Sequence, residues 1–205
     1  MAATKNGSAA IVKMLLAWGA TPDAVADSSI RENSPLLVAS MDGSVDIVRM
    51  LVAASADVKV ADSKEATALS LVCCKHMSNS AQVVKLLVDA GCDLEHADIV
   101  GMTPLLLAVC ADSAACVKVL LEAGANANAM SHQGSTPLIH AVQNVNMPII
   151  ALLVGAGADP LLVQRPGMMS ALDLVKAGSG QVQGTSQNVI MDYFVSVFGP
   201  EILRK

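Results

Sequence analysis

The stretch TPLLLAVCADSAACVKVLLEAGANAN, residues 103–128, decides the fold. Thr103 followed by Pro104 marks a helix start. A threonine hydroxyl accepts a backbone N–H of the first turn, and proline at the first helical position lacks an N–H that would have no partner there. Ala108, small and placed early in this helix, lets a neighbouring element approach closely. Val117-Lys118-Val119-Leu120-Leu121 then sets apolar residues at helical spacing with one charge turned outward. Ala123-Gly124 closes that second helix, since glycine accepts the left-handed conformation past a helix end. Two short helices and a turn bury too little surface to stand alone, so such a unit must stack on others like it.

The rest of the chain supplies those others. Ser34-Pro35-Leu36, Thr67-Ala68-Leu69, Thr103-Pro104-Leu105, Thr136-Pro137-Leu138 and Ser170-Ala171-Leu172 repeat the start signal at intervals of 33, 36, 33 and 34 residues. The second-helix block recurs as Val48-Arg49-Met50-Leu51-Val52, Val84-Lys85-Leu86-Leu87-Val88 and Ile150-Ala151-Leu152-Leu153-Val154. The closing signal recurs as Ala90-Gly91-Cys92-Asp93 and as Gly155-Ala156-Gly157-Ala158-Asp159. Three markers stay in phase over four units. The polar stretch between each closing signal and the next start suits a turn or short hairpin.

Composition agrees with many small, similar layers. The 205 residues are 53% hydrophobic, 15% charged and only 2% aromatic, so the interior must be built from Leu, Val, Ile, Ala and Met. That apolar fraction excludes a disordered chain. The apolar run from Met147 to Ala158 is broken by Pro and Gly and ends at Asp159, well short of the ~20 residues a membrane span needs. A net charge of −5 argues against a nucleic-acid surface. The five cysteines, Cys73, Cys74, Cys92, Cys110 and Cys116, form no C-x-x-C pair and read as small buried hydrophobes in a reducing compartment. Residues 11–17 loosely imitate a signal peptide, but Lys13 interrupts the run and the pattern recurs downstream, so they are read as structure. Lipidation signals are not found at either end. The expectation is a soluble intracellular protein, cytoplasmic or nuclear.

The period and the three markers resemble the ankyrin repeat family, whose signature is T-P-L-H-x-A, a leucine-rich second helix and a G-A-D-hydrophobic-N turn. The resemblance covers nearly the whole chain and is clearest at Thr103 to Asn128 and at Thr136 to Asp159. It implies an all-α solenoid of stacked helix-turn-helix units with short hairpin loops, about five to six repeats long. The chain then reads as one domain over 1–205: a partial N-terminal repeat (1–29), repeats at 30–62, 63–98, 99–131 and 132–165, and a divergent C-terminal capping repeat (166–205). The family's His after Pro-Leu is replaced by Leu37, Ser70, Leu106 and Ile139, with His140 one place later. Three extra residues around His76 to Asn79 lengthen the joint of the 63–98 unit, and three more lengthen the loop from Gly19 to Ser34. Ala3 aligns with Ala39, which places Met1 inside a first helix and points to a partial cap or to a longer array. Gly178 to Ser186 reads as a loop, and Asn188 to Phe198 as a second helix with Val189, Ile190, Tyr193, Phe194, Val197 and Phe198 on one stripe. Capping of the last repeat is preferred there over a detachable partner-binding helix.

Reactive chemistry is not assembled in this sequence. Gly178 to Gly184 has the wrong glycine spacing for a nucleotide loop and no strand before it. Cys73-Cys74-Lys75-His76 lacks the second Cys/His cluster that zinc requires. His96, His132 and His140 fall in different units and share no motif with a nucleophile. No catalysis, metal or cofactor is expected. Asn128 occupies the family's turn asparagine, which can be a hydroxylation substrate in that family; the alternative is that its side chain holds the turn.

By the same resemblance, hairpin tips and first-helix ends line a concave face. The tip positions are Ile30, Arg31 and Asn33; Ser63, Lys64 and Ala66; Ile99, Val100 and Met102; His132, Gln133 and Ser135. The helix positions are Met41 and Asp42, Cys74 and Lys75, Cys110 and Ala111, Gln143 and Asn144. Ile99, Val100, Met102 and Cys110 form an apolar centre with Arg31, Lys64 and Lys75 on one side and Gln133, Gln143 and Asn144 on the other. An apolar centre with a polar rim is the anatomy of a protein-binding site; the competing reading is that Ile99 and Val100 pack against adjacent hairpins. The expected function is a non-catalytic protein-protein interaction module that binds a protein partner as adaptor, scaffold or inhibitor, and is itself a monomer. The alternative is a structural protein that self-associates end to end through its incomplete N-terminal repeat. Neither nucleic acid nor membrane is an expected partner.

Overall fold

In the computed structural model, the described residues are 2–24, 34–75, 77–163, 167–178 and 182–204. They form twelve α-helices in six antiparallel pairs. The pairs are α1 (Ala2–Lys5) with α2 (Ala9–Ala17), α3 (Pro35–Met41) with α4 (Val45–Ala53), and α5 (Ala68–Cys73) with α6 (Ser80–Asp89). They continue as α7 (Pro104–Cys110) with α8 (Ala114–Glu122), α9 (Pro137–Gln143) with α10 (Met147–Gly155), and α11 (Ala171–Ala177) with α12 (Gly184–Phe198). A 3-10 turn at Pro200–Arg204 packs on α12. First helices stack on first helices from α1 to α11, and second helices on second helices from α2 to α10. No strand is present among the described residues; a lone antiparallel bridge joins Ala61 to Thr67.

The start signals act as expected at four of five positions. Thr67, Thr103 and Thr136 accept the N–H groups of Ser70, Leu106 and Ile139 on their hydroxyls. Ser170 builds a reciprocal capping box with Asp173. Ser34 departs from the expectation: its hydroxyl is buried and makes no cap bond. Where the family's His is missing, Ser70 lends its own hydroxyl to Thr67 at 3.2 Å.

The core runs the length of the stack as one layer. Leu36, Leu69, Leu105, Leu138 and Leu172, each two residues after its cap, are fully buried between the helix rows. Ala39, Ala108 and Ala141 are also buried, which lets the first helices approach closely. On the second helices, Leu51, Leu87, Leu120 and Leu153 fill the space between successive units. Gly91, Gly124 and Gly157 close their helices with positive φ, while Ser55 adopts φ 63° in the same role after α4.

Three expectations need correction. Cys74 and Cys110 are exposed, because they end their first helices beyond the face that packs on the next helix; Cys73 and Cys116 are buried. The lengthened joint of the 63–98 unit is tied to the preceding unit. His76 lies outside the described residues, but Lys75 Nζ donates to the Met41 carbonyl at 3.0 Å and Asn79 Nδ2 to that of Gly43. Helix α12 begins at Gly184, so the loop read over Gly178 to Ser186 ends earlier; residues 179–181 lie outside the described set. Its stripe is narrower than read: Ile190 and Phe194 are buried, but Val189 and Val197 face solvent.

Candidate partner-binding groove

Each hairpin tip is closed by the same local chemistry. The backbone N–H of Asp62 donates to Ala66, that of Asp98 to Met102, and that of Ser131 to Ser135, at 3.0–3.1 Å. Inside each turn the first side chain accepts the returning N–H groups. Asp62 Oδ1 takes those of Lys64 and Ala66 at 2.8 and 2.9 Å. Asp98 Oδ1 takes those of Val100 and Met102 at 3.0 and 2.9 Å. Ser131 Oγ takes that of Ser135 at 3.3 Å. A short polar side chain that accepts from the residues ahead is the usual means of stabilising a turn.

The turns also need a left-handed residue two places before the threonine. Gly101 and Gly134 supply it with φ 80° and 78°, and Glu65 supplies it with φ 58°. At Gly101 the requirement is steric as well. A Cβ there would lie 2.5 Å from the backbone nitrogen of His132.

That close approach brings the tips into contact with one another. The Ile99 N–H donates to the Lys64 carbonyl and the His132 N–H to the Val100 carbonyl, both at 3.1 Å. Three successive tips are thus joined by main chain alone. The side chains remain outside: Ile99 is 58% and Val100 49% exposed. Backbone contact between adjacent hairpins therefore coexists with an apolar patch open to solvent.

The other described residues singled out from the sequence sit on the hairpin tips and at the ends of the first helices. Lys64, His132 and Gln133 are exposed on the tips, while Met102 and Ser135 are half-buried. Met41, Asp42, Cys110, Gln143 and Asn144 are exposed at the ends of their first helices. Lys75 is half-buried and committed to the Met41 carbonyl, so it serves the joint of the stack more than the groove. Ile30, Arg31 and Asn33 lie outside the described residues. Although both residues are exposed, partial desolvation of their thiols raises the pKa values of Cys74 and Cys110, which keeps both protonated near neutrality and makes them weak nucleophiles. Among the described residues no group of three His, Cys, Asp or Glu is placed to hold a metal ion.

A second row runs along the turns after the second helices, and sequence reasoning saw only one member of it. Asp23 accepts the Asp57 N–H at 3.1 Å, Glu95 that of Asn126 at 2.8 Å, and Asn128 that of Asp159 at 2.8 Å. These bonds staple consecutive units. At the equivalent Lys59 the staple is missing, because an ammonium group has no acceptor.

Stacked helix pairs with bonded hairpin tips along one edge define a helical-repeat solenoid. A family model described as ankyrin repeats in three copies matches residues 1–98 and, overlapping, residues 72–163. The chain belongs to the ankyrin repeat family, whose members serve generally as protein-protein interaction modules. A comparison with curated protein sequences returns no match. No helix among the described residues is long and apolar enough to cross a membrane.

Proposed function

We propose that this protein is a non-catalytic interaction module that holds a protein partner on the groove formed by its hairpin tips and first-helix ends. The observation that carries the reading is the placement of Ile99 and Val100. Their backbone is fixed by bonds to the neighbouring tips, yet their side chains are presented to solvent. A rigid apolar centre loses little conformational freedom on binding, which favours affinity. Polar side chains at Lys64, Gln133, Gln143 and Asn144 surround it, as the rim of a protein interface does. Mechanistically the protein acts by presentation, with specificity set by tip and helix-end residues and no bond made or broken. Exposed thiols at Cys74 and Cys110 suit a reducing intracellular compartment, cytoplasmic or nuclear.

The test is capture of binding proteins by the wild type and by an Ile99→Arg/Met102→Glu variant, compared by mass spectrometry. The variant is expected to fold, with an unchanged far-UV circular dichroism spectrum, and to lose the partner. Identical binding proteins for both would remove the site from the groove.

A further inference from the structure

Serine or threonine stands before proline at Thr21, Ser34, Thr103 and Thr136. Three of these residues begin helices and are buried: Ser34 is 3%, Thr103 6% and Thr136 2% exposed. Thr21 differs. It lies in the turn after α2 and faces solvent. Its hydroxyl makes no hydrogen bond among the described residues.

The repeat frame shows what this position does in the other units. Thr21 corresponds to Asp57, Asp93, Asn126 and Asp159, each two residues past the left-handed Ser or Gly that closes its second helix. In all four a side-chain oxygen accepts the backbone N–H two residues ahead, at 2.8–2.9 Å. All four are exposed, although each lies in a unit with a neighbour on either side. The openness of the position therefore belongs to the turn itself. Only Thr21 carries no carboxylate or amide there, and its hydroxyl leaves the Asp23 N–H unengaged among the described residues.

We propose that Thr21 is the phosphorylation site of a proline-directed protein kinase, and that the phosphate supplies the acceptor that Asp or Asn supplies in the other units. Pro22 favours the reaction in two ways. A residue before proline is held extended, and proline offers no N–H, so an apolar pocket suffices to read it. In the transfer, Thr21 Oγ1 attacks the γ-phosphorus of ATP. The Oγ1–P bond forms as the bond to the β-phosphate oxygen breaks, ADP leaves, and the hydroxyl proton passes to the kinase's base. The phosphate brings a charge of about −1.5 to −2 and three acceptor oxygens. One of these accepts the Asp23 N–H as Asp93 accepts that of Glu95. The Asp93 and Glu95 pair also shows that this turn holds anions at both places. Asp23 in turn accepts the Asp57 N–H at 3.1 Å, so fixing its backbone tightens the joint between the first two units.

The full chain, incubated with Mg-ATP and a purified mitogen-activated protein kinase, should gain one phosphate, about 80 Da by intact mass. Fragmentation should place it on Thr21. Thr21→Val and Pro22→Ala should gain none while keeping the circular dichroism spectrum. Hydrogen exchange at the Asp57 amide should be about three- to tenfold slower in the phosphoprotein, and in Thr21→Asp, than in the wild type. The groove variant Ile99→Arg/Met102→Glu should take the phosphate like the wild type, which separates this inference from the proposed function. A chain left unmodified while the same kinase saturates a standard Ser-Pro peptide would overturn the proposal. So would phosphate on Ser34, Thr103 or Thr136, or an Asp57 amide that exchanges as fast in the phosphoprotein as in the wild type.

Discussion

Asn128 clamps the unit that follows it through Asp159. Its side-chain oxygen accepts the Asp159 N–H at 2.8 Å, while its amide nitrogen donates to the Gly157 carbonyl at 3.1 Å. The Asn128 backbone N–H is itself held by Asn126 at 2.9 Å. The amide therefore spans a joint of the stack with both of its ends engaged.

Asn128→Ala should break that span. Loss of two partly exposed hydrogen bonds is worth about 1–2 kcal/mol. Urea unfolding should show a lower midpoint at unchanged slope, and an unchanged midpoint would make the clamp energetically idle.

The same geometry identifies a gain-of-stability substitution. Lys59 stands where Glu95 and Asn128 make their staples, and it cannot accept a hydrogen bond. Lys59→Asn should restore the missing bond to the Asp93 backbone and raise stability by about 0.5–1 kcal/mol. A thermal melt of the variant beside the wild type measures this directly. A lower melting temperature would show that the units are spaced differently at that joint.

Gly101→Ala should be one of the costlier single changes in the molecule. A methyl group there meets the His132 backbone at 2.5 Å and must also adopt φ 80°. The expected loss is about 2 kcal/mol or more. Gly124→Ala, where a Cβ meets nothing within 4 Å, is strained only by its φ of 94° and should cost less. Equal losses at the two sites would argue against close tip-to-tip contact.

His140 predicts a pH dependence. Burial lowers its pKa below the ordinary value of 6.5, so the folded protein takes up this proton less readily than the unfolded chain. Its contribution is fully present above pH ~6.5 and is lost as pH falls through that value toward the folded pKa. The urea midpoint should drop between pH 7.5 and 5.5, and His140→Gln should reduce the drop. A variant with the full wild-type drop would assign the effect to other groups.

The helix pairs were legible because each marker is local. Thr103-Pro104 and Thr136-Pro137 name their helix starts, and the spacing of Leu120 or Leu153 names the buried face, without reference to anything distant. Relations between units were not legible. That Glu95 performs the bond made by Asn128 follows from carboxylate and amide both accepting an N–H, but only the stacking of the units brings Asn126 within reach of it. Lys75 read as a groove cation, yet the Met41 carbonyl lies 3.0 Å from its amine. The width of the α12 stripe was overread because periodicity assigns Val189 and Val197 to a face without stating how much of that face is covered. For the groove, sequence position indicated which tips fall in a row; the bonds from Ile99 to Lys64 and from His132 to Val100 depend on the separation of the units.

Those two bonds involve no side-chain atom. Ile99, Val100 and His132 can therefore be replaced by any residue but proline while the tips stay joined, and the restraint falls on Gly101 beside them. Recognition and stability are written in different parts of the same loop. A library randomised at residues 99, 100, 132 and 133 should contain mostly folded members, and a lineage could change its partner by substitutions there without first becoming less stable.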